Sequence, residues 1–342
     1  MNILWAGGED IDWVTLGSLS VDTTSGHFRS GWARCDIQMT NGNGTAQARS
    51  FPFNGGAVTS AWLSIHAYFV GGNATALESN LLAGFGSSGS NSFLALTVAA
   101  ANPSQIALSS YNGTTQTQLA VESGTSIAAL GTSGGGKLDI QVSNLGASST
   151  VNVYLNNNLI ISYSGSTVIT GLTNFDTVIL GAYGGGSSTS WSWSEFIVAD
   201  SDTRALLGLN TLALTGAGTT TTWTNNTYTN INGVNHSDAN PTYANTTAKD
   251  QEYTVGTVQP TVYSVIAVAQ NARLATPPGS TPTQVKLGYG SSGTGYFGTG
   301  AAKTPGVGFS WFQQIDGTNP ITAAPWVSAD LAAPLQVDIQ SA

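Results

Sequence analysis

The sequence predicts an all-β protein of two consecutive sandwich domains, and three observations carry this prediction. Short runs of strand-forming residues, several alternating apolar and polar side chains, recur at roughly 10–15-residue spacing. Clusters of Gly, Ser and Asn such as Gly134-Gly135-Gly136 separate these runs, while helical apolar periodicity is nearly absent. The length of 342 residues is about twice that of one usual domain. These features together favour antiparallel sandwiches or jelly rolls.

The first predicted domain spans residues 1–200. Its clearest element is Val151–Tyr163, in which two β-rich runs flank Asn156-Asn157-Asn158. Because Asn tolerates a positive φ, this arrangement predicts a hairpin. The run Ser190–Asp200 predicts the closing strand of the domain, and the polar segment Ser201–Arg204 predicts the connection that follows it.

The second predicted domain spans residues 201–342 and is a smaller β-sandwich. Its length of about 140 residues is enough to bury most of the surface of the unfolded chain. The strands predicted here are Trp223–Thr229, Gln251–Val258, Thr261–Ala269, Gln284–Gly290, Gly306–Gln313 and Leu335–Ile339.

Composition excludes several functional classes. Charged residues make up only 8% of the chain, against a usual value of about 25%, and hydrophobic residues reach 41%. A disordered chain needs the opposite balance. With 9 Lys and Arg against 18 Asp and Glu, the net charge is −9, so the chain cannot neutralise many phosphates and nucleic-acid binding is not expected.

Cofactors and membrane insertion are also not expected. Cys35 is the single cysteine, which excludes an intramolecular disulfide and a thiolate metal cluster. The N-terminal segment lacks a basic region and a long apolar run, so no signal peptide is predicted. No apolar run approaches the ~18 residues of a membrane helix. These features favour folding in a cytoplasm.

Nucleophile–base signals are weak. The histidines are His27, His66 and His236, and only His66 lies in a predicted strand, which favours a structural role. The run Gly131–Gly135 matches Gly-x-Ser-x-Gly but lies in a Gly-rich turn without a following helix. The sequence therefore favours a protein without a catalytic serine.

Carboxylates are equally sparse in the predicted strands. Asp139 and Glu195 are the main acids of the first domain and do not form the paired spacing of jelly-roll glycosidases. The run Glu9–Asp12 could contribute oxygen ligands to Ca²⁺, although EF-hand spacing is absent. The predicted protein is therefore not an enzyme and holds no metal at an assigned site.

The closing strand resembles a known family. Trp193–Asp200 is similar to the last strand of concanavalin A-like (laminin G-like) jelly rolls, Ala61–His66 to an early strand, and Val151–Tyr163 to their Val-x-Val-Tyr-Leu-Asn-Gly hairpin. The resemblance covers roughly the first 200 residues and implies a lectin-like sandwich. It also implies that Glu195 is structural and accepts hydrogen bonds inside the sandwich.

A second resemblance concerns both ends of the chain. Ile3–Asp10 and Thr23–Cys35 are similar to the opening of structural proteins of tailed bacteriophages. The distal runs Asp316–Pro320, Pro325-Trp326 and Leu335-Gln336-Val337 resemble the C-terminal segment of the same proteins. The resemblance implies a virion protein, assembled in the host bacterial cytoplasm, that associates with other virion proteins and with copies of itself. Trimers are common in such families.

Aromatic residues supply the candidate glycan-binding site. Trp191 and Trp193 are two apart in a predicted strand and share a face, so they could form a stacking platform for a sugar. The alternative is that they pack in the core or against the second domain. Trp223 and Tyr228 lie among Asn and Thr and are further candidates.

The predicted function is therefore that of a non-enzymatic structural component of a tailed-phage virion. A tail fibre, tail-tip protein or adhesin with host-surface glycan recognition is favoured over a head fibre or capsid-decoration protein. A polysaccharide depolymerase of the virion is the enzymatic alternative.

Overall fold

The computed structural model describes most of the chain. The described residues are 1–7, 13–15, 20–22, 36–39, 46–71, 80–132, 135–182, 190–206, 208–225, 228, 241–256, 264–291, 294–297, 301–331 and 335–342. The chain divides into two compact units, Met1–Leu209 (unit 1) and Asn210–Ala342 (unit 2), so unit 1 runs past residue 200. None of the helices in these ranges is long and apolar enough to cross a membrane.

Unit 1 is an antiparallel sandwich. Its described strands are β1 (Ile3–Gly7), β2 (Trp13–Thr15), β3 (Ser20–Asp22), β4 (Asp36–Met39), β5 (Ala46–Ser50), β6 (Ala61–Gly71), β7 (Asn80–Gly86), β8 (Phe93–Val98), β9 (Ile106–Tyr111), β10 (Gln116–Val121), β11 (Gly136–Ser143), β12 (Ser149–Leu155), β13 (Asn158–Gly165), β14 (Thr177–Ala182) and β15 (Ser190–Ala199). One sheet has the order β13-β12-β11-β6-β15-β4-β3, with β1 also pairing with β15, and the other has the order β10-β9-β8-β7-β14-β5-β2. A short helix, α1 (Ser126–Leu130), precedes β11.

The core of unit 1 follows from strand alternation. In β12 buried and half-buried residues alternate, so that Val151 and Val153 point inward while Asn152 lies on the other face. These side chains join Phe85 and Leu96 of the opposite sheet in one hydrophobic cluster. Full burial of a Val or Leu side chain stabilises by about 1.5–3 kcal/mol, so the shared cluster holds the two sheets together. The predicted all-β jelly-roll sandwich is confirmed.

The predicted hairpin is present. Strands β12 and β13 pair antiparallel from Ser149 opposite Gly165 to Leu155 opposite Asn158. The turn residues Asn156 and Asn157 have φ angles of 48° and 68°. This left-handed conformation is the one that Asn tolerates better than other residues with a Cβ.

The closing strand β15 lies in the interior of its sheet. It pairs with β6, β4 and β1, which come from distant parts of the sequence. A β-bulge between Ser194 and Ile197 interrupts its pairing with β6, and Glu195 there has a φ of 56°. The bulge changes the phase of the strand, so that Trp193 and Phe196 both enter the core.

In its described residues, unit 2 contains a five-stranded antiparallel sheet, a facing two-stranded ribbon and a further pair of two-residue strands. Its described strands are β16 (Leu214–Thr221), β17 (Asp250–Val255), β18 (Val268–Leu274), β19 (Val285–Ser291), β20 (Thr294–Phe297), β21 (Ser310–Asp316), β22 (Thr318–Asn319), β23 (Ala324–Pro325) and β24 (Gln336–Ser341). The sheet order is β16-β17-β24-β19-β20, and β18 pairs with β21. Ala272 and Leu274 of the ribbon pack against Val285 and Leu287 of the sheet.

Two predicted strands of unit 2 are wrong in position. The strand predicted over Trp223–Thr229 is replaced at residues 223–225 by a bend, an isolated bridge from Thr224 to Tyr243 and a turn, and residues 226, 227 and 229 lie outside the described part of the chain. The strand lies earlier, at β16. Sequence reasoning passes over β16 because Gly is disfavoured in strands. Here Gly218 is required, since a Cβ at this position would lie 2.5 Å from the Cβ of Glu252. The strand predicted over Thr261–Ala269 overlaps β18 only at Val268 and Ala269, since residues 264–267 form no strand and residues 261–263 lie outside the described part of the chain.

The hairpin turn supplies a test of the backbone geometry. We expect Asn157→Val to lower the free energy of unfolding of unit 1 by about 1–2 kcal/mol, because a β-branched residue is strained at a φ of 68°. Asn157→Gly is the matched control and should leave stability within a few tenths of a kcal/mol. Urea unfolding of both variants measures the difference, and equal midpoints would contradict the assigned turn.

Candidate functional site

The predicted tryptophan platform is wrong. Trp191 and Trp193 are 1% and 0% exposed and belong to the core of unit 1. Their rings are stacked with centroids 6.3 Å apart, and Trp191 also lies 4.9 Å from the ring of Phe69. The inward face of β15 thus carries both side chains, and neither ring is available to stack on a sugar. Trp191 and Trp193 instead pack in the core, which was the alternative interpretation of the pattern.

The other two candidate aromatics lie in unit 2. Trp223 is half-buried against the cluster around Leu287, and its Nε1 donates a hydrogen bond to the carbonyl oxygen of Lys249 at 2.9 Å. Tyr228 is half-buried. The structure therefore does not gather the four candidates into one surface, because two are core residues of unit 1 and two belong to unit 2.

His66 and Glu195 lie side by side in unit 1. His66 Nε2 is 3.9 Å from Glu195 Oε2, and the carboxylate is 1% exposed. Glu195 Oε2 also accepts a hydrogen bond from the backbone N–H of Leu209 at 3.3 Å. Glu195 is therefore a buried structural residue. It binds the segment that follows β15 and does not bridge the two sheets. His27, His236 and Glu9–Asp12 lie outside the described residues.

Asp139 is the second buried acid of unit 1, and it is neutralised. Lys137 Nζ lies 2.8 Å from both carboxylate oxygens, and Thr203 Oγ1 donates to Asp139 Oδ1 at 2.7 Å. Lys137 also donates to the carbonyl oxygen of Thr203 at 3.0 Å. The carboxylate therefore fastens residues 203–204 onto β11. In the described ranges no three His, Cys, Asp or Glu side chains are placed to share a metal ion.

Arg204 covers an aromatic pair on the same face of the sheet. The rings of Trp62 and Tyr154 are stacked with centroids 5.9 Å apart. The Arg204 guanidinium lies 4.5 Å from the Tyr154 centroid and forms a two-oxygen pair with Asp202. The faces of these rings are thus occupied by the chain's own cation, which makes them part of the attachment of residues 200–209.

Arg49 lines an open polar depression at the β7–β8 turn. Its Nη1 donates to the carbonyl oxygen of Ser87, and its Nη2 donates to that of Ser90 at 2.9 Å. The depression measures about 280 Å³ and is lined by Arg49 with Ser88, Gly89, Ser90 and Asn91. Its volume lies just below the range of small-ligand sites, about 300–1,000 Å³.

The depression combines the Arg49 cation with the nearby acid Asp176. Burial lowers the pKa of the Arg49 guanidinium below its ordinary value, and the nearby charge of Asp176 partly offsets the effect. The group nonetheless stays charged, as arginine does in proteins. Its hydrogen-bond acceptors are neutral oxygens, and its Nε makes no hydrogen bond within the described part of the chain. The Nε–Nη2 edge of an arginine can donate two parallel hydrogen bonds to a carboxylate, although Nη2 of Arg49 also donates to Ser90.

The turn that carries the depression is fixed from two sides. Arg49 holds the carbonyl oxygens of Ser87 and Ser90, and Asp176 accepts from the backbone N–H and the hydroxyl of Ser88 at 2.7 and 2.6 Å. Sequence reasoning missed this site because Arg49 and the turn are about forty residues apart. The only local signal was a cation in a chain with few cations, followed later by a Gly-Ser turn.

Comparison with known proteins places the chain in no family. No family description matches the sequence, and no curated protein matches it.

Solved structures give partial likenesses. The binding domain of Paraclostridial Mosquitocidal Protein 1 has 12% identity over 58% of this chain and 49% of its own, with a TM-score of 0.40. The endo-β-1,4-glucuronan lyase from the fungus Trichoderma reesei has 9% identity over 57% of this chain and 94% of its own, with a TM-score of 0.39. The botulinum neurotoxin serotype D binding domain has 10% identity over 54% and 43%, with a TM-score of 0.35. The chain spans about half the length of the two toxin domains.

The buried ion pair can be tested by removing its cation. We expect Lys137→Met to lower the free energy of unfolding of unit 1 by about 3–5 kcal/mol, because it removes the cation that is paired with the buried Asp139 carboxylate. Asp202→Asn breaks the exposed pair with Arg204 and should cost less than about 1 kcal/mol. Urea denaturation measures both, and a Lys137→Met protein as stable as the Asp202→Asn protein would refute a buried pair.

Proposed function

We propose that the chain is a non-catalytic structural protein of a tailed-phage virion, at the tail fibre, tail tip or an adhesin, that also recognises an acidic glycan on the host surface. The virion assignment is supported by the resemblance of Ile3–Asp10 and Asp316–Pro320 to phage structural proteins. The recognition part rests on one observation, the partly buried Arg49 guanidinium in an open depression.

Assembly with copies of itself is supported by the edges of unit 1. The outermost strands of the two described sheets at one side are β13 and β10, and neither contains Lys, Arg, Asp or Glu. Leu159 and Val121 on these strands are 55% and 39% exposed. Natural monomers usually protect strand edges with charge or proline, so uncharged edges with apolar side chains suit pairing with another subunit.

A lectin-type role is supported by the chemistry of the depression. Ser88, Ser90 and Asn91 offer hydroxyl and amide groups around the guanidinium, and these match the hydroxyl groups of a sugar. The guanidinium adds a requirement for negative charge. The ligand class is therefore an acidic saccharide, held by its carboxylate on Arg49 and by its hydroxyl groups on the turn.

The acids of unit 1 support a binding role over a hydrolytic depolymerase. Asp139 and Glu195 are buried in structural contacts, and Asp176 is engaged by Ser88. None of them faces a second carboxylate across a cleft in the described part of unit 1, as glycoside hydrolysis would require.

Position in the particle tests the structural part of the proposal. Antibodies raised against the purified chain should label the tail of intact virions in electron micrographs. Labelling of the head would favour a head fibre or capsid-decoration protein instead. Absence of the chain from purified particles would refute the structural role.

Arg49 tests the recognition part. We expect the native chain to bind a glucuronate-containing oligosaccharide and not its neutral glucose counterpart, and Arg49→Gln to weaken binding at least tenfold, a loss of about 1.4 kcal/mol. Calorimetric titration at low salt measures both. Asn91→Ala, which leaves the turn anchors in place, should weaken binding by a smaller factor, and Arg204→Gln is the matched control that should not change it. Equal binding of acidic and neutral sugars would contradict the carboxylate site.

A further inference from the structure

Two carboxyl groups face each other at the centre of the unit 2 sheet. Glu252 on β17 and Asp338 on β24 are directly opposed in the antiparallel ladder. Opposed residues have Cβ atoms about 4.5–5.5 Å apart and side chains on the same face. Their neighbour on β19 is Gly288, which contributes no side chain to this face. The two acids are therefore each other's nearest side chains along the row.

Both groups are buried and incompletely satisfied. Glu252 is 1% exposed and Asp338 is 0% exposed. Glu252 Oε2 accepts the backbone N–H of Thr220 at 2.6 Å. Glu252 Oε1 and both carboxylate oxygens of Asp338 have no hydrogen-bond partner in the described part of the chain. Three buried oxygens without a donor would be costly if both groups carried a negative charge.

Strand β16 pairs with β17 and passes unusually close to Glu252. A Cβ on Gly218 would come within 2.5 Å of the Glu252 Cβ and 2.7 Å of Gln336 Oε1. The backbone N–H of Thr219 donates to Gln336 Oε1 at 3.0 Å, which fixes β16 in this position. The glycine thus lets the backbone exclude water from the carboxyl pair.

The charged groups around the pair do not neutralise it. On β17, Asp250 is a third acid, and its Oδ1 accepts from Gln340 at 2.9 Å. On β19, Lys286 lies opposite Gln340 and forms no ion pair with Glu252 or Asp338. Strand β16 carries no ionisable side chain, and Gln270 of the ribbon donates to the backbone oxygen of Asp338 rather than to its carboxyl group.

Burial raises the pKa of Asp338 to about 8, and the charges of Asp250 and Glu252 add to the effect. The peptide N–H groups of Ile339 and Gln251 lower the pKa of Asp338. They do so from positions that do not meet the geometry of a hydrogen bond to its carboxyl oxygens. The direction agrees with the geometry, because a group without donors in a dry environment favours its neutral form.

We propose that Glu252 and Asp338 share one proton in the folded state, as a buried carboxylic acid–carboxylate pair that makes unit 2 sensitive to pH. The O–H group of the protonated Asp338 donates a hydrogen bond to Glu252 Oε1. This one bond gives a partner to a donor and to an acceptor that otherwise have none. The pair then carries one negative charge instead of two. Deprotonation leaves two adjacent buried carboxylates, and the central strands separate more readily.

The sign of the pH dependence follows from this proton. Above about pH 4 the unfolded chain has released it, whereas the folded unit retains it up to about pH 8. Stability of unit 2 is therefore greatest in acid and falls as the pH rises between these values. For one retained proton, the unfolding equilibrium constant increases by about tenfold per pH unit in this window.

The experiment measures amide hydrogen exchange in the full chain at residues 250–255 and 336–341 from about pH 5 to about pH 9. After correction for intrinsic exchange rates, native protection factors should fall by about tenfold per pH unit, up to about pH 8. Asp338→Asn should remove most of this dependence, and the native infrared band of a protonated carboxyl group should be absent from the variant. Parallel pH profiles of the native and Asp338→Asn proteins would overturn the proposal.

Two further variants protect the test against misfolding and coincidence. Glu252→Gln places an amide donor beside Asp338, so it should allow ionisation and reduce the pH dependence even if Asp338→Asn fails to fold. Asp330→Asn changes an exposed acid of the same unit and should leave the native slope unchanged. Stabilisation by added Ca²⁺ that a chelator reverses would overturn the shared proton in favour of a bound cation.

Discussion

Unit 1 depends on the burial of both faces of strand β15. Residues 191–199 are all buried, although the sequence alternates apolar and polar side chains only up to Ser194. One face gives Trp191, Trp193 and Phe196 to the core between the sheets. The bulge at Glu195 brings Phe196 back to that face after the alternation is broken. The strained backbone at this residue is therefore the condition under which one strand fills the core along its whole length.

Much of the fold could be predicted from local patterns. The Val151–Tyr163 hairpin was recognisable because its alternation and its Asn turn agree, and local agreement of this kind is what specifies a structure. The failures have a common origin in long-range contacts. Strand β16 contains Gly218 because Glu252, more than thirty residues away, leaves no room for a Cβ. A propensity scale applied to residues 214–221 cannot register that constraint.

The candidate sites illustrate the same limit. Two tryptophans spaced by two residues share a face of a strand, but the spacing does not show whether that face is exposed to solvent. For Trp191 and Trp193 the face is buried. Arg49 is the reverse case, an unremarkable arginine in the sequence that acquires significance from carbonyl groups on a distant turn. The low proportion of charged residues makes each buried charged group easier to interpret. Since charged residues are few, a buried acid stands out, as Asp139 does beside Lys137 and Asp338 does opposite Glu252.

The attachment of residues 200–209 redefines where the first unit ends as a folding entity. Asp139 accepts a hydrogen bond from Thr203, and Glu195 accepts one from the backbone N–H of Leu209. A fragment cut after the last described strand, at residue 200, would keep the Lys137 partner of Asp139 but lose the hydrogen bonds that Thr203 and Leu209 donate to two buried carboxylates. Unit 1 therefore extends past its last described strand to Leu209, and a boundary drawn from the strands alone would remove two hydrogen bonds to buried carboxylates.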